Sequence, residues 1–170
     1  ATFGAGCFWH IEDEFSKLKG VISTQVGYIG GTTPDPTYKN VCSGQTGHAE
    51  AVQIIFNPKI MDYSSLLNFF WEIHDPTQLN RQGPDIGHQY RSVIFTHSKE
   101  QEKLAIQSIE KFKKSGKYKN AIVTEIQTAK TFYKAEEYHQ KYIQKINNSY
   151  LSKLIVNYSC HVMIQNSLHQ

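Results

Sequence analysis

This sequence is poor in cysteine, since its 170 residues contain three, Cys7, Cys42 and Cys160. Thiols this few and this scattered, with no Cys-x-x-Cys pair, exclude a disulfide framework and a zinc site of the usual spacing. The eight histidines are also dispersed and form no His-x-x-x-His pair, so we expect no bound metal. Three separate thiols are typical of a reducing compartment. They predict a cytoplasmic protein and raise the question of whether one thiol is reactive.

Long apolar runs and a strong charge of either sign are also missing. No apolar stretch approaches the roughly 20 residues that span a bilayer, so we expect no membrane segment. The net charge is +3, from 18 basic and 15 acidic residues, and no run of Lys and Arg exceeds two residues. Nucleic-acid-binding proteins usually concentrate basic residues on one face, so this class is disfavoured.

The sequence does contain enough apolar material for one folded domain. Hydrophobic residues make up 39% of the chain and aromatic residues 12%, which argues against disorder. The length predicts a single domain, and we expect it over residues 1–146, followed by a C-terminal tail at 147–170. A monomer is the default expectation.

The spacing of hydrophobic residues predicts an alternation of strands and helices. Strands are expected at 2–4, 21–28, 49–56, 91–96 and 122–127, and helices at 7–20, 64–74, 98–114 and 135–146. This order is typical of the α+β class, with a split βαβ (ferredoxin-like) mixed sheet covered by helices on one side. Two long loops, at 30–47 and 75–88, are uncommon in a compact domain unless they contribute to function.

Cys7 is the foremost candidate for chemistry. It lies where a predicted strand ends and a helix begins, directly after Gly6, and the N–H groups of a helix start favour a thiolate. Glycine at the turn lets the backbone expose the sulfur. A buried structural cysteine beside two core aromatics, Phe8 and Trp9, is the alternative.

Glu50 is a second candidate, at the junction of the first long loop and a strand. Burial there would raise the pKa of its carboxyl group and make it a proton donor near neutral pH. Its alternative role is a salt bridge at the strand edge. Tyr38 belongs to the first long loop and Tyr90 comes directly after the second, and both are candidate hydroxyl donors.

Short blocks of sequence then follow one another in a characteristic order over about residues 2–145. Their first member is Gly6-Cys7-Phe8-Trp9 with Glu12, and the others are Gly27-Tyr28-x-Gly30-Gly31, Pro36-Thr37-Tyr38, Val41-Cys42-Ser43-Gly44, Thr46-Gly47-His48-Ala49-Glu50, His74-Asp75-Pro76-Thr77, Gln82-Gly83-x-Asp85-x-Gly87-x-Gln89-Tyr90-Arg91-Ser92 and Glu136-x-Tyr138-His139-Gln140. In these blocks the chain resembles the A-type peptide methionine sulfoxide reductases. The resemblance implies reduction of the S epimer of methionine sulfoxide, free or in oxidised proteins, to methionine.

The resemblance also implies a role for each matching residue. Cys7 would be the nucleophile and would become a sulfenic acid, and Glu50 would protonate the sulfoxide oxygen. Tyr38 and Tyr90 would hydrogen-bond that oxygen, and Asp85 would help to position substrate or water. Aromatic side chains would hold the substrate methyl group; these are Phe8 and Trp9, with His139 as a further matching residue that could instead make a structural hydrogen bond.

Two departures from the family pattern concern the second loop and the tail. Pro84 stands where the family usually has Asn, so hydrogen bonding next to Asp85 could differ. The tail has no glycine and a single cysteine, Cys160. Cys160 would resolve the sulfenic acid by forming a disulfide with Cys7, which thioredoxin would reduce. Alternatively Cys160 is inert and an external thiol acts directly. No bound cofactor is expected.

Two other functions compete with the reductase. The first is a non-catalytic module that binds methionine sulfoxide without turning it over. The second is a Cys-His hydrolase that pairs Cys7 with His48 or His139, which would release an acyl product and consume no reductant.

Overall fold

The computed structural model of the protein describes residues 1–148, so Cys160 and most of the predicted tail lie outside the described residues. The main sheet has six strands in the order β7-β6-β1-β3-β2-β8. Their bounds are Thr2–Ala5 (β1), Val21–Ile29 (β2), Ala49–Phe56 (β3), Ser92–Thr96 (β6), Glu125–Thr128 (β7) and Tyr133–Lys134 (β8). Two further strands, Arg81–Gln82 (β4) and Asp85–Ile86 (β5), form a separate hairpin.

The central four strands confirm the predicted split βαβ arrangement. Strands β1 and β2 both pair antiparallel with β3, so they run parallel to each other with β3 between them. The helix α1 (Phe8–Ser16) connects them, and α3 (Tyr63–Glu72) connects β3 to β6 around β1 in the same way. Helix α4 (Lys99–Lys114) then leads to β7, which pairs parallel with β6.

The helices cover one face of the sheet, as predicted. Alternate strand residues such as Val26, Val52 and Ile94 join the buried faces of these helices in one large hydrophobic core. Phe3 lies in this core, stacked between Phe15 at 5.4 Å and Phe70 at 5.2 Å between ring centroids. The opposite face carries a smaller apolar cluster, composed of Ile29, Ala49, Ala51, Val93 and Phe95 with Ala129 and Phe132 against it.

The predicted helix at 135–146 is wrong, because this stretch is divided. A 3-10 helix at Glu137–His139 is followed by α5 at Tyr142–Asn147, and Lys141 between them has a φ of 53°. Two contacts with residues far away in sequence impose the break. The Gln140 side chain bonds the backbone of Val26, and the Lys141 N–H donates to the carboxylate of Glu12 at 2.7 Å.

The long loops contain short elements that hydrophobic spacing does not predict. The first loop includes α2 (Tyr38–Cys42), and the second includes the β4–β5 hairpin and a 3-10 helix at His88–Tyr90. Both loops therefore present defined side chains, and the candidate residues Tyr38, Asp85 and Tyr90 belong to these elements.

Candidate active site

Cys7 occupies the junction between β1 and α1, where it is the N-cap residue of the helix and only 5% exposed. The turn depends on Gly6, which has a φ of 99°. A Cβ atom on Gly6 would also lie 2.8 Å from the side chain of Gln82 in the hairpin. The unpaired N–H groups of the first helical turn make this end of α1 positive, which favours the thiolate form of a cysteine at the cap.

Glu50 lies in β3. It points to the helix-covered face of the sheet, the same face as the core residues Val52 and Ile54, because every second residue of a strand points to the same side. Its Oε2 atom accepts a hydrogen bond from the Phe8 N–H at 3.1 Å, so the carboxyl group is tied to the residue after Cys7. Complete burial raises the pKa of Glu50 to about 8, and the nearby charge of Asp85 adds to this although the Phe8 N–H opposes it. The carboxyl group is therefore mostly protonated at neutral pH and able to donate a proton.

Two tyrosine hydroxyls share this buried region. Neither the Tyr38 hydroxyl nor the Tyr90 hydroxyl has a hydrogen-bond partner among residues 1–148, and the same is true of Glu50 Oε1. Burial, and then the charge of Glu50, raise the pKa of both tyrosines, so both hydroxyls keep their protons at neutral pH. Buried polar groups are nearly always paired. Three atoms that are unpaired within residues 1–148, the two tyrosine hydroxyls and Glu50 Oε1, lie in one place and therefore indicate a site for a polar substrate group.

Asp85 reaches the same region from the hairpin. It is 7% exposed, and its charge contributes to the raised pKa of both Glu50 and Tyr90. Asp85 pairs with Gln82 across the two-residue turn, in which Gly83 has a φ of 60° and Pro84 is exposed. Pro84 therefore sits at the tip of the hairpin, and the pairing of Asp85 with Gln82 is retained beside it.

Aromatic rings from α1 pack against the C-terminal part of the described chain. The Trp9 indole N–H donates to Nδ1 of the fully buried His139 at 2.9 Å, and Trp9 also stacks on Tyr142 with centroids 3.9 Å apart. The Phe8 ring lies 5.1 Å from the His139 ring, and the Tyr38 ring lies 4.4 Å from it. Burial lowers the pKa of His139 to about 4, so the imidazole is neutral, with its proton on Nε2 because Nδ1 accepts from Trp9.

Sequence reasoning missed the residues that hold this C-terminal segment in place. Gln140 makes three hydrogen bonds at 2.9 Å, to Val26 N, Val26 O and Ala135 O, and so pairs with Val26 of β2 next to the residues that pair with β8. Glu136 accepts from the Tyr28 hydroxyl and from the Tyr38 N–H, both at 2.8 Å. The block Glu136-x-Tyr138-His139-Gln140 was the available signal, but it did not say which residue each side chain would contact.

His48 and Cys42 lie near the first loop and have other surroundings. His48 Nδ1 accepts from the Gly31 N–H at 3.0 Å and Nε2 bonds the Thr33 carbonyl at 2.7 Å, so its ring anchors the loop rather than serving as a base. Cys42 is a free, half-buried thiol. Burial raises the pKa of Cys42 to about 12, which keeps it protonated. The thiol is close enough to Tyr38 to affect the pKa of the tyrosine.

Neither a metal cluster nor a membrane-spanning helix is present in the described part of the chain. Within residues 1–148, no three His, Cys, Asp or Glu side chains are grouped so as to hold a metal ion. Over the same residues, none of the helices is both long and apolar enough to cross a bilayer.

Comparisons with known proteins give matches over most of the chain. A family profile described as peptide methionine sulfoxide reductase matches residues 1–169. Peptide methionine sulfoxide reductase MsrA of Methanothermobacter thermautotrophicus is 60% identical over 145 residues, which cover 85% of this chain and 86% of that protein. Reduced Mxr1 of Saccharomyces cerevisiae has a similar structure, with a TM-score of 0.80 and 40% identity over 88% of this chain and 86% of its own. Mxr1 in complex with Trx2 matches with a TM-score of 0.58 and 28% identity, over 83% and 81% of the two chains.

Proposed function

Since this chain belongs to the peptide methionine sulfoxide reductase family and is an enzyme that reduces methionine sulfoxide to methionine, we propose a role in that reaction for each candidate residue. Cys7 is the nucleophile. Its thiolate attacks the sulfur of the S epimer of methionine sulfoxide, and the oxygen passes to Cys7. The substrate sulfur gains two electrons and leaves as methionine, while Cys7 loses two and becomes a sulfenic acid.

Glu50 supplies the proton that this step consumes. A sulfoxide is a poor electrophile because oxide is a poor leaving group, so protonation of the oxygen must accompany attack. The observation that carries this role is the carboxyl group itself, which is fully buried, bonded through Oε2 to the Phe8 N–H and left with a pKa of about 8. Tyr38 and Tyr90 donate hydrogen bonds to the oxygen as its negative charge develops, since their buried hydroxyls have no other partner among residues 1–148.

The remaining candidates bind and orient the substrate. Phe8 and Trp9 supply apolar surface next to Cys7 for the methyl group, and His139 holds the Trp9 indole through the bond to Nδ1. Asp85 positions substrate or water, because it is a buried carboxylate that shares its surroundings with Glu50 and Tyr90.

Recycling requires two electrons from outside the chain. Cys160 attacks the Cys7 sulfenic acid, water leaves, and thioredoxin reduces the resulting disulfide. The complex of Mxr1 with Trx2 supports a thioredoxin partner for this chain also. The length of the chain supports this role of Cys160. Helix α5 ends at Asn147, and its Gln144 bonds Ser16 at the C-terminal end of α1 at 2.9 Å, so the following residues start about one length of α1 away from Cys7. The 13 residues from Asn147 to Cys160 could extend to about 43 Å, more than the length of α1.

The setting of the reaction follows from the same chemistry. A thiol nucleophile that must be reduced after each turnover suits a reducing compartment, in agreement with a cytoplasmic location. One chain supplies every candidate side chain described above, so we propose that a monomer is active. The substrates are oxidised proteins and free methionine sulfoxide.

A single-turnover thiol count tests these roles. The fully reduced protein is mixed with excess S-epimer methionine sulfoxide in the absence of reductant, and methionine and free thiols are measured together. We expect one methionine and the loss of two thiols, with a Cys7–Cys160 link found by peptide mapping. Cys42→Ser is the matched control and should also lose two thiols, whereas Cys160→Ser should lose one.

Each departure from that result overturns a specific role. The loss of one thiol in the wild-type protein would leave Cys7 as the nucleophile and exclude Cys160 as the resolving cysteine. Methionine formation by a Cys7→Ser variant would exclude Cys7. The R epimer serves as a negative control, and equal turnover of both epimers would refute the proposed stereochemistry.

A further inference from the structure

Glu136 joins two parts of the site that lie far apart in sequence. One carboxylate oxygen accepts a hydrogen bond from the Tyr38 N–H at 2.8 Å, and the other accepts from the Tyr28 hydroxyl at 2.8 Å. The carboxyl group is partly buried. Burial alone would raise its pKa, but these hydrogen bonds outweigh that effect and the pKa of Glu136 is lowered. It is therefore a fixed negative charge with both oxygens engaged.

The first of these bonds completes the start of α2. This helix has only five residues, too few to be stable without tertiary contacts. Its N-cap residue Thr37 and Asn40 form a capping box that satisfies the N–H groups of both residues. The Tyr38 N–H, another of the donors that a helix start leaves unpaired, is taken by Glu136.

The second bond connects this helix start to the strand pair that carries the proton donor. Tyr28 lies directly opposite Glu50 in the β2–β3 register, and both point to the helix-covered face. Glu136 thus holds the backbone of Tyr38 and the side chain of Tyr28 at once. His139, three residues after Glu136, packs its ring on the Tyr38 ring with centroids 4.4 Å apart.

We propose that Glu136 is a positioning residue that sets the Tyr38 hydroxyl relative to Glu50 at the sulfoxide oxygen. This inference rests on the proposed role of Tyr38 as a donor to that oxygen. Such donors are effective because they are already oriented when charge develops, and loss of one typically costs about a hundredfold to a thousandfold in rate. Displacement of a positioned group by about 1 Å can cost about a hundredfold.

A double-mutant cycle tests this proposal with Glu136→Ala, Tyr38→Phe and the combined variant. The readout is the rate of methionine formation in a single turnover at saturating S-epimer methionine sulfoxide. We expect Glu136→Ala to lower this rate by about tenfold to a hundredfold, while the apparent substrate affinity changes by less than about threefold. Because both changes act through one hydroxyl, the combined variant should be no more than about threefold slower than the slower single variant.

Glu136→Gln and Glu137→Ala serve as conservative and neighbouring controls. The amide of Glu136→Gln can accept from the Tyr38 N–H through its oxygen and donate to the Tyr28 oxygen through its nitrogen, so it should restore most of the rate. Glu137 is exposed and pairs with Lys134 at 3.2 Å, so Glu137→Ala should leave the rate unchanged. If Glu136→Ala does not fold, Glu136→Asp takes its place in the cycle, because it keeps the charge but is one methylene shorter.

The outcomes separate the two proposals. If Tyr38→Phe reacts at the wild-type rate, the proposed donor role of Tyr38 is refuted. If Tyr38→Phe is slow but the effects of the two substitutions multiply, Glu136 acts independently of Tyr38 and the inference fails. A lowered melting temperature with an unchanged single-turnover rate would likewise show that Glu136 is purely structural.

Discussion

Glu50→Gln should make the folded protein progressively more stable than the wild type as the pH rises. The carboxyl group of Glu50 is completely buried, and burial raises its pKa from 4.5 to about 8. The Gln amide has nearly the same shape and can still accept the Phe8 N–H, but it does not titrate. A comparison of the two proteins across pH therefore isolates the cost of burying this one ionisable group.

The sign and size follow from proton linkage. Between about pH 4.5 and pH 8 the folded wild-type protein keeps the Glu50 proton that the unfolded chain has lost. Its free energy of unfolding then falls by about 1.4 kcal/mol for each pH unit, relative to Glu50→Gln. From about pH 5.5 to pH 7.5 the gap should widen by about 2–3 kcal/mol. The stabilisation from the protonated group is complete below about pH 4.5 and is lost as the pH rises to about 8.

Urea denaturation of the reduced proteins, followed by tryptophan fluorescence at three pH values in that range, measures the gap. Glu137→Gln is the control: the pKa of Glu137 is lowered, chiefly by its bond to Lys134, so its linkage lies below the ordinary value of 4.5. The difference between this control and the wild type should be flat across the same range. A flat difference for Glu50→Gln would show that Glu50 is ionised in the folded state, and the proton-donor argument would fail.

Three other predictions follow from the site. The single-turnover rate should fall above about pH 8 as Glu50 ionises, and Glu50→Gln should be at least about a hundredfold slower without that alkaline limb; quenched-flow measurements that find the limb retained would assign it to another group. Trp9→Phe removes the donor to His139 Nδ1 and part of the ring stacked on Tyr142, so it should lower the free energy of unfolding measured in urea by about 1–3 kcal/mol; equal stability would mean that neither contact makes a net contribution. Gln140→Leu leaves the Val26 N–H unpaired, while the Val26 carbonyl keeps its bond from the Ala135 N–H at 3.0 Å, and should cost about 1–3 kcal/mol; an unchanged urea midpoint would contradict this pairing.

The parts of the site that depend on local sequence were predictable. A glycine followed by Cys7 at a strand-to-helix junction is a local pattern, and the structure places Cys7 at the N-cap of α1. Helix α4 is similar, since Ser98 caps it, Glu100 and Glu102 lie in its first turn and lysines occupy its last turn. Such features involve residues within a few positions of one another, so propensity and spacing suffice to predict them.

The C-terminal segment shows where this reasoning stops. Hydrophobic spacing predicts one helix at 135–146, but Gln140 bonds to Val26, 114 residues away, and the Lys141 N–H bonds to Glu12, 129 residues away. These long-range hydrogen bonds interrupt the helix, because leaving the Val26 N–H or the buried Glu12 carboxyl group unpaired would cost more than the helical turn contributes.

By itself the sequence determined the family, the order of the main strands and helices and the choice of Cys7 as the candidate nucleophile, because each of these is encoded in short blocks along the chain. Only the tertiary structure decided that Glu50 keeps its proton, that His139 is neutral and that Glu136 connects Tyr38 to Tyr28. The physical reason is that pKa values and hydrogen-bond partners depend on burial and on neighbours from distant segments, which are brought together only when the sheet and its helices close around them.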